Sequence, residues 1–97
     1  MNMQAIMAQA RKIQGDLEKA TKEIENSTFN YDNENIYIEC NGKNEVKKIA
    51  IKNNDILEDK ELLEDIMVVA LNNVLEQVKK EKERKLGKYT NGLGGLF

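Results

Sequence analysis

The chain has 97 residues, enough for one small domain, and 33% of them are charged, with a net charge of −2. It contains a single cysteine and no histidine, which excludes an internal disulfide and argues against a structural zinc site. No stretch approaches the roughly 18–20 apolar residues of a membrane span and the N-terminus has no signal-peptide pattern, so a cytosolic protein with Cys40 reduced is expected.

From Met3 the apolar positions run Met3, Ile6, Ala10, Ile13, Leu17, Ala20 and Ile24. Their steps alternate between three and four, the seam of an amphipathic helix, and Asn26 and Ser27 end it. Gly15 weakens the helix by up to about 1 kcal/mol without interrupting the stripe. Packing on this chain's own second helix accounts for the seam, and coiled-coil pairing within a dimer is the other reading.

The middle reads as strands. Thr28–Tyr31 and Ile36–Cys40 alternate and are rich in β-branched and aromatic residues, with Asp32–Asn35 as the turn between them. Asn41–Asn44 is a second tight turn, where Gly42 is expected to supply the positive φ of a hairpin. The third strand, Glu45 to Lys52, places Ile49 and Ile51 on one face. Three strands with short turns make an antiparallel meander that needs a cover, with Cys40 packed in it.

Asn53–Asp55 closes the sheet. Asp55 with Glu58 matches a capping box for a short turn, and Asp59 is placed to cap a long helix from Lys60. Gly87 is the expected stop, giving 27 residues from Lys60 to Leu86, or about 40 Å. These boundaries define one domain over 1–87 and a flexible Gly-rich tail over 88–97, for whose terminal Phe97 the sequence offers no physical account. The expected class is α+β, an α-β-β-β-α protomer.

Charge is distributed unevenly along the chain. Residues 1–54 sum to zero, residues 55–78 to −6 and residues 79–97 to +4. The acids Glu58, Asp59, Glu61, Glu64 and Asp65 crowd the start of the second helix, where its dipole favours negative charge. Glu61 and Asp65 share a face, but this placement explains them without a cation. No glycine-rich phosphate loop or base–nucleophile pair is present, so neither enzymatic activity nor a cofactor is expected.

The second helix is apolar, then cationic. Leu62, Leu63, Ile66, Met67, Ala70, Val74 and Val78 form an inward stripe, yet positions 66–71 are apolar all round the axis. A helix apolar on every side is buried on every side, so a second subunit is the expected remaining wall, and a chain this short gains stability from one. Ile66, Val68, Val69, Leu71, Val74 and Leu75 are the candidate dimer contacts. Beyond them Lys79, Lys80, Lys82, Arg84, Lys85 and Lys88 extend past a sheet only about 20 Å long. Helix direction makes the N-terminus their neighbour, with Arg11 and Lys12 further along the same arm. A solvated helix end suited to its dipole is one reading of this run; nucleic-acid contact, mostly to backbone phosphate because lysine predominates, is the other.

Met3-Gln4-Ala5-Ile6-Met7, Asn41-Gly42-Lys43-Asn44-Glu45-Val46-Lys47-Lys48-Ile49, Leu62-Leu63-Glu64-Asp65-Ile66 with Ala70 and Asn72, and the tail Thr90–Phe97 together resemble the YbaB/EbfC family over nearly the whole chain. The resemblance implies a bacterial nucleoid-associated homodimer whose protruding helices bind duplex DNA. By that implication the DNA contacts fall on Arg11, Lys12, Lys79, Lys80, Lys82, Arg84, Lys85 and Lys88. One departure is the acidic turn Asp32–Asn35, where many members have a glycine-rich one; it disfavours phosphate at that end of the sheet. A module whose arms clamp another protein is the competing reading, supported by the helical seam and the acidic net charge.

Overall fold

The structure is a computed structural model that describes residues 2–92, with side chains to Tyr89. Helix α1 spans Met3–Glu25, strands β1, β2 and β3 span Thr28–Asp32, Ile36–Asn41 and Val46–Ile51, and helix α2 spans Lys60–Gly92. The sheet is an antiparallel meander in the order β1-β2-β3. The expected α-β-β-β-α protomer is therefore what forms.

Local chemistry explains the boundaries. Asn2 caps α1 by accepting from the Gln4 amide at 2.9 Å, and α1 ends at Asn26, with Ser27 Oγ donating to Glu23 O at 2.7 Å. In the first turn Asn33 Oδ1 accepts from the amides of Asn35 and Ile36, both at 2.9 Å. In the second, Asn41 Oδ1 accepts from Lys43 and Glu45 amides. The positive φ here belongs to Asn44, at 63°, and not to Gly42 as expected. Gly42 serves close approach instead: a Cβ there would lie 2.0 Å from Ile24 O, so the turn runs directly against the end of α1.

A 3-10 turn follows at Asn54–Glu58, but its cap is Asn53, accepting from the Asp55 amide at 3.0 Å, rather than an Asp55–Glu58 box. Asp59 caps α2 as expected, accepting from Leu62 N at 3.1 Å. Gly87 does not stop this helix, which continues to Gly92 and spans 33 residues, or about 50 Å. Lys85, Lys88 and Tyr89 border α1, and that neighbour offsets a glycine cost of about 1 kcal/mol. Residues 88–92 of the expected tail are thus helical, and 93–97 lie outside the described residues.

The core lies between α2 and two of the three strands. Ile36, Ile38 and Cys40 of β2 meet Ala70, Val74 and Val78 of α2, with Phe29, Tyr31, Ile66, Met67 and Leu71 packed around them. Burial pushes the Cys40 thiol pKa up, so it stays protonated. Val46, Ile49 and Ile51 pair with Cys40, Ile38 and Ile36 and so lie on the same face, the bulge at Lys47 bringing Val46 into line. They are nevertheless exposed. A helix is about 10 Å wide and strands are about 4.8 Å apart, so one helix roofs two strands and leaves the third open.

Helix α1 packs on α2 only near its own C-terminus. Ile24 is buried and Leu17 and Ala20 are half-buried, whereas Met3, Ile6, Met7 and Ile13 are exposed, so only the last part of the seam is covered. The molecule is accordingly a rod of 69 × 22 × 15 Å.

Candidate nucleic-acid interface

Helices α1 and α2 run antiparallel beyond the sheet and form one arm, with Lys85 Nζ 3.7 Å from Glu23 Oε2. Between them lies an open groove of about 470 Å³ lined by Asp16, Lys19, Ala20 and Glu23 of α1 and Arg84, Lys85, Lys88 and Tyr89 of α2. The Lys88 ammonium lies 5.1 Å from the Tyr89 ring centroid. A second hollow, beside β1, is lined by Phe29, Gln77, Lys80, Glu81 and Arg84. Arg84 borders both, so Lys80, Arg84 and Lys88 form a strip from the edge of β1 to the α1–α2 groove.

The strip is cationic but not uniformly so. Arg84 Nε donates to Glu81 Oε1 at 2.6 Å, and that bond holds the Glu81 carboxyl below its ordinary pKa. Lys85 leans on Glu23, and Asp16 faces the same groove. Lys82 lines a shallow hollow with Glu83, Leu86 and Gly87, and Lys79 is exposed. Arg11 and Lys12 are exposed on the part of α1 that runs further out along the arm. The structure therefore brings Lys80, Arg84, Lys85 and Lys88 together, sets Lys79 and Lys82 on other flanks of α2 and leaves Arg11 and Lys12 more distal. It adds Lys19, which the sequence reading missed; its spacing of seven from Lys12 was the available signal.

Such a strip is suited to phosphate. Lysine ammonium groups on flexible stems meet a regular row of backbone charges without fixed geometry, and a guanidinium tied to a carboxylate has fewer donors left for a base edge. Asp32, in the acidic turn, is engaged by Lys52 Nζ at 2.6 Å. Among the described residues no group of three or more acidic, cysteine or histidine side chains is placed to hold a metal, and no helix is long and apolar enough to cross a membrane.

The apolar candidates separate by flank. Val74 is completely buried inside the protomer and has no surface to offer a partner, while Ile66 and Leu71 are half-buried against the core. Val68, Val69 and Leu75 are exposed. Gln77 Nε2 donates to Asn30 O of β1 at 2.7 Å, which fixes the rotation of α2. At about 100° per residue the opposite flank, with Val68, Leu71 and Leu75, faces the β3 side. Beside it Val46, Ile49 and Ile51, three residues absent from the sequence-based set, lie exposed on the face of β3 that continues the core, so helix flank and strand together outline an apolar trough.

A profile of the YbaB/EbfC DNA-binding family matches residues 1–93. The chain is 39% identical over 97 residues to a nucleoid-associated protein of Lactococcus lactis subsp. cremoris (strain MG1363), an alignment covering 96% of this chain and 97% of that one. It is 38% identical over 98 residues to a nucleoid-associated protein of Ruminiclostridium cellulolyticum, covering 98% and 85%. With a nucleoid-associated protein of Hahella chejuensis it shares 37% identity over 95 residues, covering 96% and 88%.

Proposed function

Since this chain belongs to the YbaB/EbfC DNA-binding family, and its relatives named above are nucleoid-associated proteins, we propose that it is a homodimer that grips duplex DNA through backbone phosphates with little sequence preference. The observation that carries this reading is the strip Lys80–Arg84–Lys88, extended by Lys19 and Lys85, on an arm that projects clear of the sheet. Dimerisation is supported by the trough: a second α2 laid on β3 would roof the third strand and cover Val68 and Leu75 at the same time. The contact would be isologous, each copy contributing the same helix and strand. Coating or bridging of DNA in the bacterial nucleoid, with effects on its organisation and on gene expression, follows as its role, and no chemical step is assigned to the protein.

The test is a fluorescence-anisotropy titration of a short duplex at several salt concentrations. Affinity should fall steeply with salt and vary little with sequence, the logarithmic slope being about −0.9 per phosphate neutralised. The triple substitution Lys80→Gln, Arg84→Gln, Lys88→Gln should make that slope shallower by up to about 3 while leaving the circular dichroism unchanged. An unchanged slope would remove the strip from the interface. Absence of binding at low salt would favour the other reading, a clamp for a protein partner.

A further inference from the structure

The covered and uncovered parts of the α1 seam form one continuous line. Leu17, Ala20 and Ile24 pack toward α2 and the sheet, and the same line continues through Ile13, Ala10, Ile6 and Met3. Glu23 stands opposite Lys85, and only seven residues of α2 follow Lys85, the last being Gly92, so described α2 reaches back to about Asp16. Beyond that point Met3, Ile6, Met7 and Ile13 are 69%, 40%, 50% and 36% exposed, and none of the described residues covers them.

We propose that this distal half of α1 is a self-association site, pairing antiparallel with the same segment of a second copy. A seam with alternating steps of three and four is self-complementary, because an antiparallel copy meets it with the same spacing. Its flanks carry no like charges to repel that copy: Gln9 and Gln14 border it, and the only ionised side chains between residues 2 and 15 are Arg11 and Lys12. Both point away from the seam at about 100° per residue, so pairing leaves them free for phosphate. Antiparallel alignment also opposes the two helix dipoles and sets each Arg11–Lys12 pair at opposite ends of the contact. A membrane surface is a poorer match, since α1 has no aromatic residue and few cations beside the exposed seam.

The helix is already formed and anchored at its C-terminal end, so pairing bears no nucleation cost, but four partly exposed side chains per copy make a weak contact. Such a contact gains strength where copies are held close together, as on one stretch of DNA. In that setting, which rests on the proposed DNA binding, arm-to-arm pairing would join neighbouring or facing dimers.

The deciding experiment uses the protein without DNA. Sedimentation velocity across a micromolar to millimolar range should show the wild-type average mass rising above its low-concentration plateau. Ile6→Glu/Ile13→Glu, and the uncharged Ile6→Gln/Ile13→Gln, should hold that plateau at least tenfold higher in concentration. Wild-type mass that never rises, or variants that rise with it, would overturn the proposal. Affinity for one short duplex, which the uncharged Ile6→Gln/Ile13→Gln variant should retain within about twofold, reads the DNA assignment separately, so either idea can fail alone.

Discussion

Gly42 and Gly15 are the same residue under opposite demands. A Cβ at Gly42 would meet the backbone of Ile24 at 2.0 Å, whereas one at Gly15 has nothing within 4 Å. Gly42→Ala should therefore push the β2–β3 turn off α1 and destabilise by roughly 3 kcal/mol, near the upper end for overpacking. Gly15→Ala should stabilise by about 0.5–1 kcal/mol through helix propensity. Urea denaturation of the two variants checks both signs. The neighbouring Asn41 acts through its side chain, which donates to Glu45 Oε1 at 2.8 Å and, ahead of Lys47, lowers the Glu45 pKa. A depressed carboxyl contributes stability above its unfolded pKa and loses it as pH falls through the folded value. Asn41→Ala should move the Glu45 titration upward in an NMR pH series, toward that of an unpaired glutamate.

At the scale of elements, α2 combines a core helix and a charged arm without a break. Its apolar part is held by β1 and β2, and its cationic part by α1, which is why Gly87 sits inside it. The pairing of Arg84 with Glu81 sets how much charge the arm presents. Arg84 holds Glu81 ionised below the ordinary carboxylate range, so the pair persists throughout neutral pH. Glu81→Gln should release the guanidinium, raise affinity for duplex DNA several-fold at low salt and steepen the salt dependence by about 1. Anisotropy titration at two salt concentrations measures it, and equal slopes would show that Arg84 does not face the DNA.

The whole molecule is a 69 Å rod with an acidic start to α2 at one end and a basic arm toward the other. Such a charge distribution steers the arm toward a polyanion despite a net charge of −2. The open third strand sits at the body of this rod, away from the arm, so the proposed assembly and the proposed DNA contact would use different surfaces. Ile49→Glu with Leu75→Glu should yield a monomer by light scattering at concentrations where the wild type is dimeric. DNA affinity should fall with the lost second arm while α1 remains helical.

The order of elements was legible in the sequence because periodicity is local. A stripe at steps of three and four, strands alternating about Asn-rich turns, and Asp59 ahead of Lys60 each state their structure within a few residues. The cationic run was legible for the same reason, as was its projection past a short sheet. What tertiary structure alone decided depends on partners distant along the chain. Lys85 meets Glu23, Gln77 reaches Asn30, and Ile24 presses on Gly42; these contacts set which flank of α2 is bare, which cations adjoin, and why that glycine is there. A single helix roofing two strands likewise left Val46, Ile49 and Ile51 open. Side-chain spacing along one element records which residues share a face, whereas the neighbour of that face is chosen by how whole elements pack.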